Sequence, residues 1–405
     1  MMKKIKVAVA GFGDRGYSLV VPLISGEFRS RAEIVAVLDN NSVKLDFARG
    51  VLKEFPGVQY FTSLEDFLKC DADLVLVTPP QFAHRDLACA ALNAGFHIFL
   101  EKPMARNEKE CKEIIAAEKR SGKNVFMGFN LRHHPVCVRL MELLPKAGKM
   151  QQMVCTDFFA GGYSYFRRWH RFEENSGGLT VEKGCHSIDL LNLFSGSVPL
   201  RVAAFGGLDR FTPDPEGSEY CSGCAKTASC PFYMDIANAE EQTLIGTGIP
   251  GIIVNGGKKL DLCVMNSGKD TMDNTTVLIE YANGCRAMLG ECFTSSVKRT
   301  SGRQFTLNGW DGQLWSSLTD RTIRFYPNRP GEKGPEPEVE NLPRSTGSHG
   351  GADPLMLDYI LNCLAKGTPN TRMLTRDGYY AVAVAAAAER AVREKRVVDI
   401  EPLDV

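Results

Sequence analysis

A lysine at the end of an apolar segment is the first residue that could carry chemistry. Lys102 follows His97–Leu100, which has the pattern of a short buried strand, and precedes Pro103. Because the residue before a proline favours extended backbone, Lys102 is predicted to lie at the carboxyl end of that strand, where open parallel sheets bind ligands. An ammonium group there can donate a hydrogen bond to a reacting hydroxyl or carbonyl oxygen. A solvated surface lysine is the alternative.

A histidine near two carboxylates is the second candidate. His186 lies near the start of a predicted helix, four residues after Glu182 and three before Asp189, so all three share a face. Such a histidine can take a proton as a general base, with the carboxylates orienting it. The helix follows Gly177-Gly178, which we expect to be flexible. The competing interpretation is a structural histidine buried by the helix.

The amino-terminal sequence has the spacing of a dinucleotide-binding turn. A predicted strand, Lys4–Ala10, is separated from a predicted helix by Gly11-Phe12-Gly13-Asp14-Arg15-Gly16, and a second predicted strand, Glu33–Leu38, ends on Asp39. Strand, glycine turn, helix, strand and acid in this order are typical of dinucleotide binding. The six turn residues and Asp39 are therefore predicted to bind the cofactor.

Each residue type in this arrangement has a physical reason. Gly11 can take a tight turn that a side chain would block. Gly13 leaves room for a pyrophosphate, and Gly16 lets the helix pack closely on the strand. Asp39 can accept hydrogen bonds from ribose hydroxyls and would repel a 2′-phosphate, so the expected cofactor is NAD. A glycine-rich loop without a ligand is the alternative.

The segment 165–171 has a composition suited to a sugar. It interleaves aromatic rings with basic side chains, and rings can cover the apolar face of a sugar while Arg168 and His170 bind its hydroxyls. Packing of Trp169 for stability explains the segment equally well. We predict that Arg168, Trp169 and His170 contact the substrate.

Three cysteines have a close spacing that resembles part of a metal-binding motif. Cys221, Cys224 and Cys230 lie close in sequence, but structural zinc usually has a fourth ligand and none is spaced nearby. Reduced structural thiols are therefore the favoured interpretation over a metal. Thirteen cysteines in 405 residues look scattered, and the first apolar run is too short for a signal peptide, so we expect a reduced, cytoplasmic protein. A formal net charge of zero gives no support to nucleic acid or a membrane surface as partner.

The elements that must position these residues fall into two parts. Up to residue 130, strands and helices alternate regularly, which predicts a parallel sheet with helices on both faces. Asn130 and Arg132 follow the last of these strands and are expected to enter the ligand cleft. Beyond residue 131, longer strand candidates lie close together and predict a largely antiparallel sheet. Pro327–Ser348 reads as a loop.

Four segments in order resemble the glucose–fructose oxidoreductase/inositol dehydrogenase (Gfo/Idh/MocA) family over essentially the whole chain. They are the glycine turn, VTPPQFAHRDLACAALNAGFHIFLEKPMA at 77–105, ENSGGLTVEKGCHSIDLL at 174–191 and HGGAD at 349–353. The resemblance implies an α/β fold: a Rossmann-type, doubly wound NAD-binding domain in 1–130, and in 131–405 an α/β domain with an open, mostly antiparallel sheet for substrate binding and oligomerisation.

The resemblance also implies roles for individual residues. Residues expected to border the cofactor are Thr78, Pro79, His84, Glu101, Lys102, Asn130 and Arg132. The Lys102–Pro103 bond is typically cis in the family, and its lysine contacts substrate and nicotinamide. The family usually has aspartate where this chain has Glu182, and Lys183 is an extra cation of one branch, expected at the substrate.

These implications predict an NAD-dependent oxidoreductase. Hydride would pass between a secondary alcohol carbon of a sugar or cyclitol and nicotinamide, with His186 as base and Lys102 polarising the oxygen. One alternative is a glycosidase of the same family that oxidises, eliminates and reduces again without net NADH production. Another is a non-catalytic sugar sensor, although such members tend to lose the lysine. The family usually oligomerises through the open sheet face, which predicts a homodimer or homotetramer.

Overall fold

The amino-terminal part of the molecule is built on one parallel sheet. The computed structural model describes residues 4–235, 250–295, 302–328, 331, 334 and 336–403. The first six strands are β1 (Ile5–Ala10), β2 (Ala32–Leu38), β3 (Gln59–Phe61), β4 (Leu74–Val77), β5 (His97–Leu100) and β6 (Val125–Met127). They pair in parallel in the order β3-β2-β1-β4-β5-β6. Because helices cover both faces, β4 is apolar and buried at every position.

Five helices connect these strands. They are α1 (Asp14–Leu23), α2 (Ser42–Val51), α3 (Leu64–Phe67), α4 (His84–Asn93) and α5 (Glu108–Ser121). The sequence marks the ends of α5 clearly: the side chain of Asn107 accepts a hydrogen bond from the amide of Glu110, and Gly122 ends the helix in a left-handed conformation. Because these connections join parallel strands, the carboxyl ends of the strands lie at one edge of the sheet. The strand ends that border the ligand cleft therefore lie together.

The carboxyl-terminal part is built on a nine-stranded sheet. Its strands are β7 (Met150–Phe158), β8 (Pro199–Gly207), β9 (Asn274–Tyr281), β10 (Arg286–Cys292), β11 (Gly302–Gly309), β12 (Gly312–Ser317), β13 (Thr322–Pro327), β14 (Glu338–Asn341) and β15 (Val398–Asp399). The order is β14-β13-β12-β11-β7-β10-β9-β8-β15. The β7–β10 pair is parallel and the others are antiparallel. The predicted fold class is thereby confirmed.

The helices of the carboxyl-terminal part either cover one face of this sheet or pack against the amino-terminal part. They are α6 (Pro135–Ala147), α7 (Glu173–Ser176), α8 (Cys185–Ser195), α9 (Gly251–Val254), α10 (Ser348–Lys366) and α11 (Thr375–Glu394), and a π turn at Thr180–Gly184 leads into α8. Helix α11 packs on β8, α8 and α5, so it joins both parts. Its run of buried alanines allows this close approach. The opposite sheet face leaves Phe205 and Leu278 exposed.

One prediction about the second part was wrong. The segment predicted as a loop, Pro327–Ser348, contains the edge strand β14, which pairs antiparallel with β13. Its residues are mostly exposed and three of the four are polar. An edge strand of this kind carries no alternation of buried and exposed apolar residues, so its sequence gives no strand signal.

Candidate active site

A cleft of about 1350 Å³ lies between the two parts of the molecule. It opens at the carboxyl ends of the parallel strands. Its lining includes most of the predicted site residues: Gly11, Gly13, Asp14, Arg15, Asp39, Thr78, Pro79, His84, Glu101, Lys102, Asn130, Arg168, Trp169, His170, Glu182, Lys183 and His186. Phe12, Gly16, Arg132 and Asp189 lie outside this lining. The structure therefore brings residues of both parts to one cavity.

The glycine turn has the close packing that a dinucleotide cradle needs. Gly11 has φ +96°, and a Cβ there would lie 2.6 Å from the backbone nitrogen of Pro79. A Cβ on Gly16 would collide with the carbonyl oxygen of Gly11, because α1 starts directly against β1. At Gly13 the nearest atom to such a Cβ is Nζ of Lys44, 3.8 Å away. The turn thus fits a pyrophosphate at its open position, Gly13.

Asp39 holds the same turn from the end of β2. Its carboxylate accepts hydrogen bonds from the amides of Phe12 and Asn41, both at 2.9 Å. The ring of Phe12 is fully buried in the core, so Phe12 contributes its backbone to the turn and its side chain to packing. Asp39 lines the cleft, where a carboxylate suits ribose hydroxyls.

The glycine turn is joined to the carboxyl-terminal part by a buried clasp, a cluster formed by Arg15, Glu101, Asn130, His349 and Asp353. The guanidinium of Arg15 pairs with Glu101 and, at 2.8 and 2.9 Å, with both oxygens of Asp353 on α10. Asn130 donates to the same carboxylate at 2.7 Å, and Nδ1 of His349 lies 2.8 Å from it. Burial alone would raise the pKa of Asp353, but Arg15 and His349 hold it well below its ordinary value. Arg15 and Asn130 are thus already bonded to this clasp.

Lys102 and Glu182 form an ion pair across the cleft. Nζ of Lys102 donates to the carbonyl oxygen of Glu182 at 3.0 Å and to its Oε1 at 3.2 Å. Burial is the largest single effect and opposes the charged form of Lys102, but Glu182 and the further acidic groups around it together raise the pKa of Lys102 above its ordinary value. The Lys102–Pro103 bond is cis. The lysine is therefore a permanent cation at neutral pH.

His186 lies in the same cleft as a neutral imidazole. It is buried, and its Nδ1 has no hydrogen-bond partner among the described residues. Burial, followed by the nearby cations Lys102, Arg303 and Lys183, holds the pKa of His186 well below its ordinary value. A neutral imidazole that lines the cleft can accept a proton from a bound hydroxyl.

Neither predicted carboxylate hydrogen-bonds to His186. Glu182 is paired with Lys102, and Asp189 accepts from Arg132 at 2.9 and 2.6 Å. Glu182 lies in the π turn that precedes α8, and both Glu182 and His186 line the cleft. Arg132 is held further by Asp377 at 2.8 Å. Contrary to expectation, Arg132 and Asp189 form a buried ion pair behind the cleft.

Gly177 and Gly178 occupy positions where the backbone conformation and the close packing require glycine. Both residues have positive φ, +72° and +99°. A Cβ on Gly178 would collide with the carboxylate of Glu389 on α11. Glu389 Oε1 accepts a hydrogen bond from the amide of Thr180, at the start of the π turn, at 3.3 Å. The expected flexible link is thus a tightly packed one that positions the turn carrying Glu182.

Glu389 should make stability depend on pH. Burial, and then the charge of Glu173, raises the pKa of Glu389 to about 7. Because its folded-state pKa is raised, its stabilisation is complete below its ordinary pKa and lost as pH rises through about 7. The free energy of unfolding of Glu389→Gln should therefore exceed that of the parent by up to about 3 kcal/mol near pH 8, and the two should be equal near pH 4. Urea unfolding measures this, with exposed Glu394→Gln on the same helix as control; a gain equal at both pH values would contradict it.

The aromatic segment forms one wall of the cleft. Trp169 stacks on His170 with ring centroids 3.7 Å apart and meets Phe82 edge-on at 5.8 Å. Burial lowers the pKa of His170 well below its ordinary value, and Arg168 and Lys102 add to this. The two rings therefore present a neutral aromatic surface.

Some lining residues gave no signal in the sequence. They are Phe82, Tyr220, Lys258 and Lys259. The segment 255–259 reaches the cofactor half of the cleft, where the side chain of Asn41 donates to the carbonyl of Gly256 at 3.0 Å. These two residues are 215 positions apart, so their contact depends on the tertiary fold. His349 lies in the HGGAD segment, where the family resemblance alone pointed to it.

The structure places no metal centre among the residues it describes. Within those ranges, no three His, Cys, Asp or Glu side chains are grouped to hold a metal ion. Cys221, Cys224 and Cys230 are free thiols in this structure. Their assignment as reduced structural thiols stays a prediction. No helix in the described ranges has both the length and the apolar character needed to cross a membrane.

Comparison with known proteins decides the family. A model described as "Oxidoreductase family, NAD-binding Rossmann fold" matches residues 5–129, and one described as "Oxidoreductase family, C-terminal alpha/beta domain" matches residues 153–400. The chain belongs to the Gfo/Idh/MocA family. Its amino-terminal part is therefore an NAD-binding Rossmann domain, as the glycine turn predicted.

One relative and two solved structures match nearly the whole chain. YteT of Bacillus subtilis, named as an oxidoreductase, is 23% identical over 98% of both chains. The aldose-aldose oxidoreductase of Caulobacter crescentus, solved with glycerol, has a TM-score of 0.70 at 18% identity, covering 98% of this chain and 100% of that one. The WlbA dehydrogenase of Bordetella pertussis, solved with NADH and UDP-GlcNAcA, has a TM-score of 0.69 at 20% identity, covering 99% and 100%. At these identities the structural likeness is one of fold.

Proposed function

We propose that this chain is an NAD-dependent oxidoreductase that oxidises or reduces a secondary alcohol carbon of a sugar or cyclitol. The observation that carries the proposal is the meeting of a protonated Lys102 and a neutral His186 in the cleft that begins at the NAD-binding turn. The sugar ligand and sugar-acting names of the relatives WlbA and aldose-aldose oxidoreductase support this substrate class.

Each residue then has a proposed role. Lys102, held protonated by Glu182, donates a hydrogen bond to the reacting oxygen and stabilises negative charge that develops there. His186 accepts the hydroxyl proton in the oxidative direction and returns it in the other. The stacked Trp169 and His170 cover an apolar face of the ring. Bound NAD supplies the acceptor for the hydride.

The test begins with the cofactor. Mass spectrometry of small molecules released from the purified protein identifies any bound nucleotide. A panel of sugars, cyclitols and glycosides is then added with NAD, and absorbance of reduced nicotinamide is followed. Net NADH formation supports the proposal. Turnover of a glycoside without net NADH would indicate the redox-neutral cycle instead, and binding without any turnover would indicate a sensor.

Cofactor choice should follow from Asp39. Its carboxylate ends β2 within the cleft and would repel a 2′-phosphate, so NAD should bind at least about tenfold more tightly than NADP, roughly 1.4 kcal/mol. Calorimetric titration with both nucleotides measures this. Asp39→Asn should reduce the ratio of NAD affinity to NADP affinity. Asp71→Asn, an exposed change outside the cleft, should leave that ratio unchanged. Equal or tighter NADP binding by the parent would contradict the role of Asp39 and point to Lys44, whose Nζ lies beside Gly13.

We further propose that the chain forms a homodimer or homotetramer through the uncovered face of the nine-stranded sheet. Phe205 and Leu278 on β8 and β9 are 79% and 49% exposed, which is costly in water for neighbouring apolar side chains. Leu278→Asp should therefore shift the mass measured by light scattering towards the monomer. Val138→Asp, at an exposed apolar site on α6, is the control; an unchanged mass for Leu278→Asp would contradict the proposal.

A further inference from the structure

The substrate end of the cleft has more positive charge than its carboxylates neutralise. Among the described lining residues, Glu101 is paired with Arg15 and Glu182 with Lys102. Lys183 has no carboxylate within ion-pair distance in the described ranges. The guanidinium of Arg168 donates to the carbonyl oxygen of Ser164 at 3.3 Å and likewise has no carboxylate partner there. Two cations therefore face the cavity without counter-ions.

An aromatic pair connects these two cations. Nζ of Lys183 lies 4.1 Å from the ring centre of Phe159, and the guanidinium carbon of Arg168 lies 5.7 Å from that of Tyr165. The rings of Phe159 and Tyr165 meet edge-on with centroids 5.9 Å apart. Lys183, Tyr165 and Arg168 line the cleft, and Phe159 packs behind them, so the four side chains form one continuous strip at this end of the cavity.

The groups beneath Lys183 do not neutralise it. Asp157 on β7 pairs with Arg303 on β11 at 2.7 Å. Glu291 on β10 is buried with neither carboxylate oxygen hydrogen-bonded among the described residues, and burial raises its pKa well above the ordinary value. Neither Asp157 nor Glu291 lies within ion-pair distance of Lys183 among the described residues. Burial, and then Arg303, lowers the pKa of Lys183 to about 8, so the protein itself does not provide this ammonium with a partner.

We propose that the substrate is an anionic sugar whose carboxylate or phosphate group binds between Lys183 and Arg168. This inference rests on the proposed function and narrows its substrate class. A ligand oxyanion there would pair with both cations, and the partly buried setting would strengthen the interaction relative to a surface ion pair. A neutral sugar would leave both cations unpaired.

Calorimetry on the NAD-loaded protein tests the inference without requiring turnover. The probes are glucuronate, galacturonate, glucose 6-phosphate, glucose and galactose. At least one acid or phosphate should bind at least about tenfold more tightly than its neutral parent sugar. Lys183→Met and Arg168→Met should each reduce this ratio to near unity, and added salt should weaken only the anionic ligands. Lys366→Met, an exposed change at the end of α10, is the control and should keep the ratio.

The outcomes separate the inference from the proposed function. Preference for uronates supports a carboxylate, and preference for glucose 6-phosphate supports a phosphate. Neutral sugars that bind as well as the anions and reduce NAD would overturn the inference and leave the proposed function standing. Anions that bind through Lys183 but never reduce NAD would support the inference and count against the function. A ratio that survives both Lys183→Met and Arg168→Met in folded protein, judged by thermal unfolding, would overturn the assignment of this strip.

Discussion

Lys102→Ala and His186→Ala should each lower kcat by about a hundredfold or more. The lysine is the protonated group that stabilises charge on the reacting oxygen, and the histidine is the neutral group that takes its proton. Because both act on one oxygen, the double variant should lose much less than the product of the two single effects. Steady-state kinetics on an accepted sugar measures all three. Lys109→Ala, an exposed lysine on α5, is the matched control and should retain parental kcat.

Cofactor binding separates a chemical role from a general defect. His186 lies in the carboxyl-terminal part, so NAD affinity of His186→Ala should remain close to that of the parent. Near-parental turnover by this variant would show that the base is another residue. His170 would then be the next candidate, because it is neutral, buried, and its Nε2 lies 4.0 Å from Glu182.

Asp353→Ala should reduce the free energy of unfolding by about 3–5 kcal/mol. The carboxylate of Asp353 is fully buried and accepts from Arg15, Asn130, Ser348 and His349. Its removal leaves a buried guanidinium with Glu101 alone and breaks the link between α1 and α10. Denaturant unfolding, followed by fluorescence with NAD absent, measures the loss.

Asp358 on the same helix provides the control. It pairs with Arg31 at 2.6 Å but its side chain is 44% exposed, so Asp358→Ala should cost no more than about 1 kcal/mol. Because the folded-state pKa of Asp353 is depressed, its contribution is present above the unfolded pKa and is lost as pH falls below it. The difference in free energy of unfolding between Asp353→Ala and the parent should therefore become smaller at acid pH. Equal losses for the two variants would contradict a buried clasp.

The sequence correctly predicted the features that depend on interactions between residues close together in the chain. The glycine turn and Asp39 belong to one strand–helix–strand unit, in which the amide of Phe12 donates a hydrogen bond to the side-chain carboxylate of Asp39. The position of Lys102 follows from the strand that ends beside it and the proline that follows. In both cases neighbouring residues restrict the backbone, so the pattern is readable from a short window.

Contacts between residues far apart in the sequence could not be predicted from such a short window. Arg15 and Asp353 are 338 residues apart, and an arginine next to a glycine turn looks equally suited to a phosphate or to a distant carboxylate. Glu182 and Asp189 do not hydrogen-bond to His186 because they pair with Lys102 and Arg132, 80 and 57 residues away in the sequence, and Glu182 lies in a π turn. That turn depends on contacts of Gly178 and Thr180 with Glu389 on α11, which the local sequence does not contain.

Isotope transfer tests the central claim most directly. Carbon-deuterated glucose, galactose, glucuronate, galacturonate and myo-inositol are each incubated with the protein and NAD, and the cofactor is then released and analysed by mass spectrometry and NMR. We predict that at least one of these substrates delivers a single deuterium to C4 of the nicotinamide, and that Lys102→Ala and His186→Ala abolish the transfer at matched times. A substrate that is converted while the cofactor remains free of deuterium would contradict hydride transfer between sugar and NAD.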